Sequence, residues 1–124
     1  MSSDIIIQKI EICKLFIPLK EPFVISLGPI NNAENVIVII HTSNGITGFG
    51  ECSPFMSING ESADTGLVVG QYFANFLKGK NPLLIEEHIA AMDKIIYGNS
   101  SIKSAFDIAL YDVASQHAGL PLYK

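Results

Sequence analysis

A chain of 124 residues in which 48% are apolar and only 16% charged, with a mean hydropathy of +0.36, makes one apolar domain that buries roughly two thirds of the surface its unfolded form exposes. The eight basic residues are all lysines, scattered along the chain and outnumbered by twelve acidic ones for a net charge of −4, which excludes a nucleic-acid footprint, and the longest aliphatic run, Val36 to Ile40, is far short of the ~20 residues that cross a bilayer. Met1 to Asp4 carries no basic segment leading into an apolar core, so no secretory leader is read and a cytoplasmic location is expected, with Cys13 and Cys52 as free thiols.

The first strand is expected at about 5–17. Its apolar residues change phase from Ile10 and Ile12 to Cys13, Leu15 and Ile17, which predicts a bulge near Cys13. Pro18 and Pro22 are expected to end it, leaving Lys20 to Asn32 as a long loop, a type of segment that tends to bind or cover ligands. A second strand follows at about 35–42. Asn44-Gly45 signals a two-residue type I′ turn, and a third strand at about 46–52 must then run antiparallel. Within it Gly48 and Gly50 flank Phe49 and clear one face for close approach by a ligand or a backbone.

Ser53 to Glu61 reads as a second loop. Helical periodicity begins after it, with helices at about 62–78, 83–97 and 100–118. The first carries Val69, Tyr72, Phe73, Phe76 and Leu77 as its stripe, and the second Ile85, Ile89, Met92 and Ile96. The third presents Ile102, Ala105, Phe106, Ala109, Leu110 and Val113 on one face, is capped at its start by Asn99, Ser100 or Ser101, and is closed by Gly119. Three strands followed by three helices define an α+β domain, 1–124, with the helices on one face of a three-stranded antiparallel meander. Ala105 and Ala109 leave room for another backbone, so the last helix is expected to dock on a partner beyond Lys124 and to offer a face for self-association.

Catalytic chemistry is sparse. His41, His88 and His117 fall in separate elements without metal-ligand spacing. Asp107 and Asp112 diverge by roughly 140° around a helix, and pairing of Lys103 with Asp107 at i, i+4 is expected instead. Lys78-Gly79-Lys80 sits where both ammonium groups are solvated and cannot act as bases. Two loops stand out: Pro22-Phe23-Val24-Ile25-Ser26-Leu27-Gly28, and Glu51 to Glu61 with Phe55, Met56 and Ile58. Both place bulky apolar side chains where solvent gives no reason for them.

The pattern Gly-Ile-Thr-Gly-Phe-Gly-Glu-Cys-Ser-Pro, with Pro-Leu-Lys-Glu-Pro-Phe upstream and Ser-Ala-Phe-Asp-Ile-Ala-Leu-Tyr-Asp-Val-Ala downstream, resembles the N-terminal capping domain of the enolase superfamily. Within it the nearest likeness is to the muconate-lactonizing branch and its dipeptide epimerases. The resemblance covers essentially the whole chain. It implies a C-terminal barrel as partner, a Mg²⁺ held by barrel carboxylates and not by this chain, lysine bases on the barrel, and removal of a proton α to a carboxylate. It also implies that the two loops select the dipeptide substrate, through Phe23, Ile25, Ser26 and Leu27 in the first and Phe55 and Ile58 in the second. Leu27-Gly28-Pro29 lacks the arginine that glutamate-directed relatives carry, so an apolar dipeptide is expected. The chain alone is then inactive. A free-standing binding or interaction module that uses the same apolar surface is the alternative.

Overall fold

The computed structural model describes residues 5–25, 28–53 and 63–119. Its elements are β1 (Ile7–Ile25), β2 (Gly28–Thr42), β3 (Thr47–Cys52), α1 (Ala63–Leu77), α2 (Ile85–Ile95) and α3 (Ser100–Ala118). The strands form one antiparallel sheet in the order β1-β2-β3, and the helices follow it. The α+β meander expected from the order of periodicities is therefore the fold.

Alternation along β2 decides which face is covered. Val36, Val38 and Ile40 are completely buried under the helices, while Ile37, Ile39 and His41 point the other way and are only partly covered. Ile5, just before β1, and Ile7 at its start are buried, after which Ile10 and Ile12 pack against the same core. The register shifts between Ile7 and Lys9 and then runs regularly through Cys13, which pairs with Ile37 and is exposed. The pairing shows no bulge near Cys13, against expectation; the irregularity lies earlier, at Ile7/Lys9. The run Ile5-Ile6-Ile7 hid it, because three identical residues carry no phase.

The expected loop at Lys20–Asn32 is instead continuous with the sheet. β1 runs through Pro18 and Pro22 to Ile25, and β2 begins at Gly28, with Phe23 opposite Ile30 and Ile25 opposite Gly28. Prolines are tolerated because β1 is an edge strand, where a missing N–H need not break a ladder, and the register shifts between Pro18 and Phe23 to accommodate them. At the other end, the β2–β3 turn is not type I′. Asn44 does not have positive φ, Gly45 does (φ 88°), and the Gly45 N–H donates to Thr42 O while Thr42 N–H donates to Ile46 O. This is a three-residue hairpin loop closed by a left-handed glycine.

Two kinds of small residue seat the helices. Gly66 and Gly70 bring α1 onto Val36 and Ile12. In α3 the relation is reversed: Ala105 and Ala109 lie directly over Gly48 and Gly50 of β3. A Cβ on Gly48 would sit 2.6 Å from Ala109 O and 2.5 Å from Val113 Cγ2, and one on Gly50 would fall on the carbonyl oxygen of Ala105. The apolar face of α3 is thus fully buried within the domain. It is not the unpartnered docking face expected from the sequence, and it offers no surface for self-association. The backbone for which Ala105 and Ala109 make room is β3.

Phe73 of α1 meets Phe106 of α3 edge to face, with centroids 5.5 Å apart. Tyr72, expected in the α1 stripe, is exposed, and His88 joins Ile85 and Met92 inside α2. The α3 C-terminus closes on Gly119 in the left-handed region, as expected, but its N-cap Asn99 makes no side-chain capping bond and turns its amide onto Tyr97 O.

Candidate functional site

The three-stranded part of the sheet ends at one rung, where Lys14 of β1 lies opposite Val36 of β2, and Val36 lies opposite Cys52 of β3. Past this rung β2 has only β1 as a ladder partner among the described residues. The two strands continue as a two-stranded arm to Ile25 and Gly28. From Val36 to Gly28, at about 3.3 Å per residue, the arm reaches roughly 26 Å. Because β3 is antiparallel to β2, residue 53, where the second apolar segment begins, is at this same end.

Of the site residues expected from sequence, Phe23 and Ile25 belong to the far part of β1 in this arm. Ser26, Leu27, Phe55 and Ile58 lie outside the described residues. The register therefore brings the attachment points of both candidate segments to one end of the sheet, with the arm paired as strand where an irregular loop was expected.

Two side-chain contacts flank the base of the arm. On the β1 side, Lys14 Nζ lies 2.8 Å from Asp64 Oδ1 in the first turn of α1, where an acidic side chain also suits the helix dipole. On the β3 side, Asn35 Nδ2 donates to Glu51 Oε2 at 2.5 Å, and Ser53 Oγ donates to Asn35 Oδ1 at 2.6 Å. Asn35 is buried and uses both ends of its amide in this bridge. Sequence reasoning missed it, because an asparagine before an apolar run looks like a strand boundary. The only available signal was its place at the start of the expected strand 35–42, whose antiparallel partner ends in Glu51-Cys52 and runs on to Ser53.

Elsewhere the ionisable groups are structural. Asp112 accepts the Phe49 N–H at 2.8 Å, and Gln116 Nε2 donates to Thr47 O at 2.7 Å, so α3 covers the free edge of β3 that would otherwise be open to pairing. Lys103 does not pair with Asp107. Its ammonium reaches Asp93 at 3.0 Å and donates to Ile96 O at 2.8 Å, which ties α3 to the end of α2. Asp107 instead lines a groove with Ile89 and Tyr111, and burial there pushes its carboxyl above the usual range. On the open face of the sheet His41 Nε2 lies 2.6 Å from Glu11 Oε2. Cys13 and Cys52 are not joined in a disulfide and lie on opposite faces of the sheet.

Among the described residues, no three His, Cys, Asp or Glu side chains converge as a metal site. The acids among them do not converge into a Mg²⁺ centre. No helix among them is long and apolar enough to cross a membrane.

Residues 8–124 match the family model described as mandelate racemase / muconate lactonizing enzyme, N-terminal domain. The D-Ala-D/L-Ala epimerase of Cytophaga hutchinsonii is 61% identical over 95% of this chain, and the hydrophobic dipeptide epimerase of Enterococcus faecalis is 40% identical over 95%. The crystal structure of the Cytophaga hutchinsonii dipeptide epimerase, complexed with Mg and the dipeptide D-Ala-L-Val, superimposes with a TM-score of 0.92 over 95% of this chain, which amounts to 32% of that one. The chain spans about a third of the length of the curated relatives it matches. Strand order, helix order and a match over nearly every residue lead to one assignment: the chain belongs to the mandelate racemase / muconate lactonizing enzyme family of the enolase superfamily, as its N-terminal domain.

Proposed function

We propose that this domain selects the substrate of a Mg²⁺-dependent dipeptide epimerase, and that the preferred dipeptides carry small apolar side chains. The observation that carries the reading is the arm. A paired ribbon that leaves the domain at one end carries Phe23 and Ile25 and leads in sequence to Ser26 and Leu27, and the segment bearing Phe55 and Ile58 follows β3 at the base of the ribbon. None of these six side chains is charged. They suit contact with an apolar substrate side chain and exclusion of water from the reacting carbon, where closure strengthens every electrostatic interaction. The relative named for D-Ala-D/L-Ala supports the same substrate class.

Removal of the α-proton requires bases and a metal site that the described residues do not form. The reading therefore assigns both to a C-terminal barrel, and this chain alone is inactive. The test is α-proton exchange in deuterated buffer with Mg²⁺, with Ala-Ala and Ala-Glu as substrates. The chain alone should exchange neither. Fused to the C-terminal two thirds of the Cytophaga hutchinsonii enzyme, it should support exchange of Ala-Ala well above Ala-Glu. Exchange by the isolated chain, or a fusion that prefers Ala-Glu, refutes the reading.

A further inference from the structure

The bridge made by Asn35 sits at the one place where the sheet changes from three strands to two. Backbone pairing between β2 and β3 ends at Val36 and Cys52. Asn35 and Ser53 are the next residues on each strand, and side chains there take over from the backbone: Ser53 Oγ donates across the rung to Asn35 Oδ1, while Asn35 Nδ2 reaches back along the same face to Glu51. Cross-strand and diagonal neighbours of this kind stabilise a sheet pairwise. The bond to Glu51 is charge-assisted, which roughly doubles its strength. Asn35 is also buried, and a buried amide left with one partner is penalised for the other.

We infer that Asn35 is a positioning residue, which by bridging Glu51 and Ser53 locks the base of the β1–β2 arm to β3 and so fixes where the arm presents its tip. It acts through the arm and touches no substrate. Lys14 with Asp64 holds the β1 side of the same rung, but that pair is largely solvent-exposed and weakly stabilising. The part-buried bridge, centred on buried Asn35, is therefore the stronger of the two holds. Its consequence for substrate choice rests on the capping role proposed above; the mechanical claim does not.

The test is amide hydrogen exchange, read by mass spectrometry on peptides from 18–25 and 28–34 of the arm and from α2 and α3 as internal reference. Asn35→Ala should speed arm exchange by about tenfold or more and leave the helices unchanged. Asn35→Asp should do the same, since it sets a carboxylate against Glu51. The swap N35D/E51Q restores a donor facing an acceptor and keeps the Ser53 bond, and should return arm exchange to within about threefold of the parent. An arm indifferent to Asn35→Ala, or a swap no better than Asn35→Asp alone, overturns the inference. If Asn35→Ala loosens the helices as well, Ser53→Ala decides: faster arm exchange over quiet helices upholds the lock, and no change overturns it. In the barrel fusion, Asn35→Ala should raise KM for Ala-Ala more than it lowers kcat. A parent fusion without epimerase activity would refute the capping role and leave the exchange result standing.

Discussion

Replacing Gly50 by alanine tests whether the seat of α3 on β3 is what holds the domain together. The added Cβ falls on the Ala105 carbonyl oxygen and lies 2.8 Å from Ala109 N and 2.9 Å from Ala105 C. All three are backbone atoms of a helix, so no rotamer change relieves the clash. To regain ordinary contact α3 must lift by roughly 1.5 Å. That gap loosens Ile102, Phe106, Leu110 and Val113, all completely or almost completely buried, and stretches the edge bonds from Phe49 N to Asp112 and from Gln116 to Thr47. Overpacking usually costs about 1–3 kcal/mol. With the edge bonds weakened too, about 3–4 kcal/mol is expected, a large share of the ~5–15 kcal/mol that holds a domain folded.

Urea unfolding followed by far-UV circular dichroism should show the midpoint falling by about 2 M, and thermal unfolding a drop of roughly 10–15 °C. The contrasting substitution is Gly66→Ala. Gly66 also faces the sheet, but a Cβ there meets nothing nearer than Val36 Cγ2 at 3.5 Å. Removing a glycine from a helix interior should then stabilise by about 0.5–1 kcal/mol. Gly50→Ala within ~1 kcal/mol of the parent would refute the reasoning, as would Gly66→Ala destabilising to the same extent.

Three further outcomes follow from side chains on α3. Asp112→Ala removes the acceptor for the Phe49 N–H and should lower stability by about 1–2 kcal/mol, while Asp112→Asn, which still offers an oxygen, should lose less; urea titration separates them. Lys103→Met should cost about 1–2 kcal/mol because the ammonium joins Asp93 and Ile96 O across two helices, and Asp93→Asn should share that loss where Asp107→Asn does not. For Asp107 the sign is fixed by burial. Its folded pKa is raised above the ordinary 3.8, so ionisation opposes folding at neutral pH and the penalty lifts as pH falls through the raised value. Asp107→Asn should therefore be more stable than the parent at pH 7, with the difference vanishing below about pH 3.8; an advantage that persists in acid would contradict the assignment.

The sequence carried the parts of this fold that depend on periodicity. The α3 face from Ile102 to Val113 and the alternation of Val36, Val38 and Ile40 read correctly, because burial on one side leaves a fixed spacing. What it could not carry was pairing. Pro18 and Pro22 look like strand terminators unless β1 is known to be an edge. Gly48 and Gly50 signalled a close approach, and Ala105 and Ala109 signalled another. Neither pattern names its counterpart, so two halves of one contact were read as two open faces. Asp112 and Asn35 escaped for a related reason. Each satisfies a group distant in sequence, 63 and 16 residues away, and a polar residue with a remote partner leaves no periodic trace.

The same architecture sets a packed body apart from a paired arm. β3 is short, six residues against fifteen in β2, and its glycines are committed to α3. Since the ladder of β3 stops at Cys52, the part of β2 before Val36 has only β1 beside it among the described residues. From there to Ile25 and Gly28 the backbone register of β1 on β2 defines the arm. Asn35 is then needed where it stands, because a ribbon of two strands is marginal alone and the precision of its tip depends on how firmly its base is held.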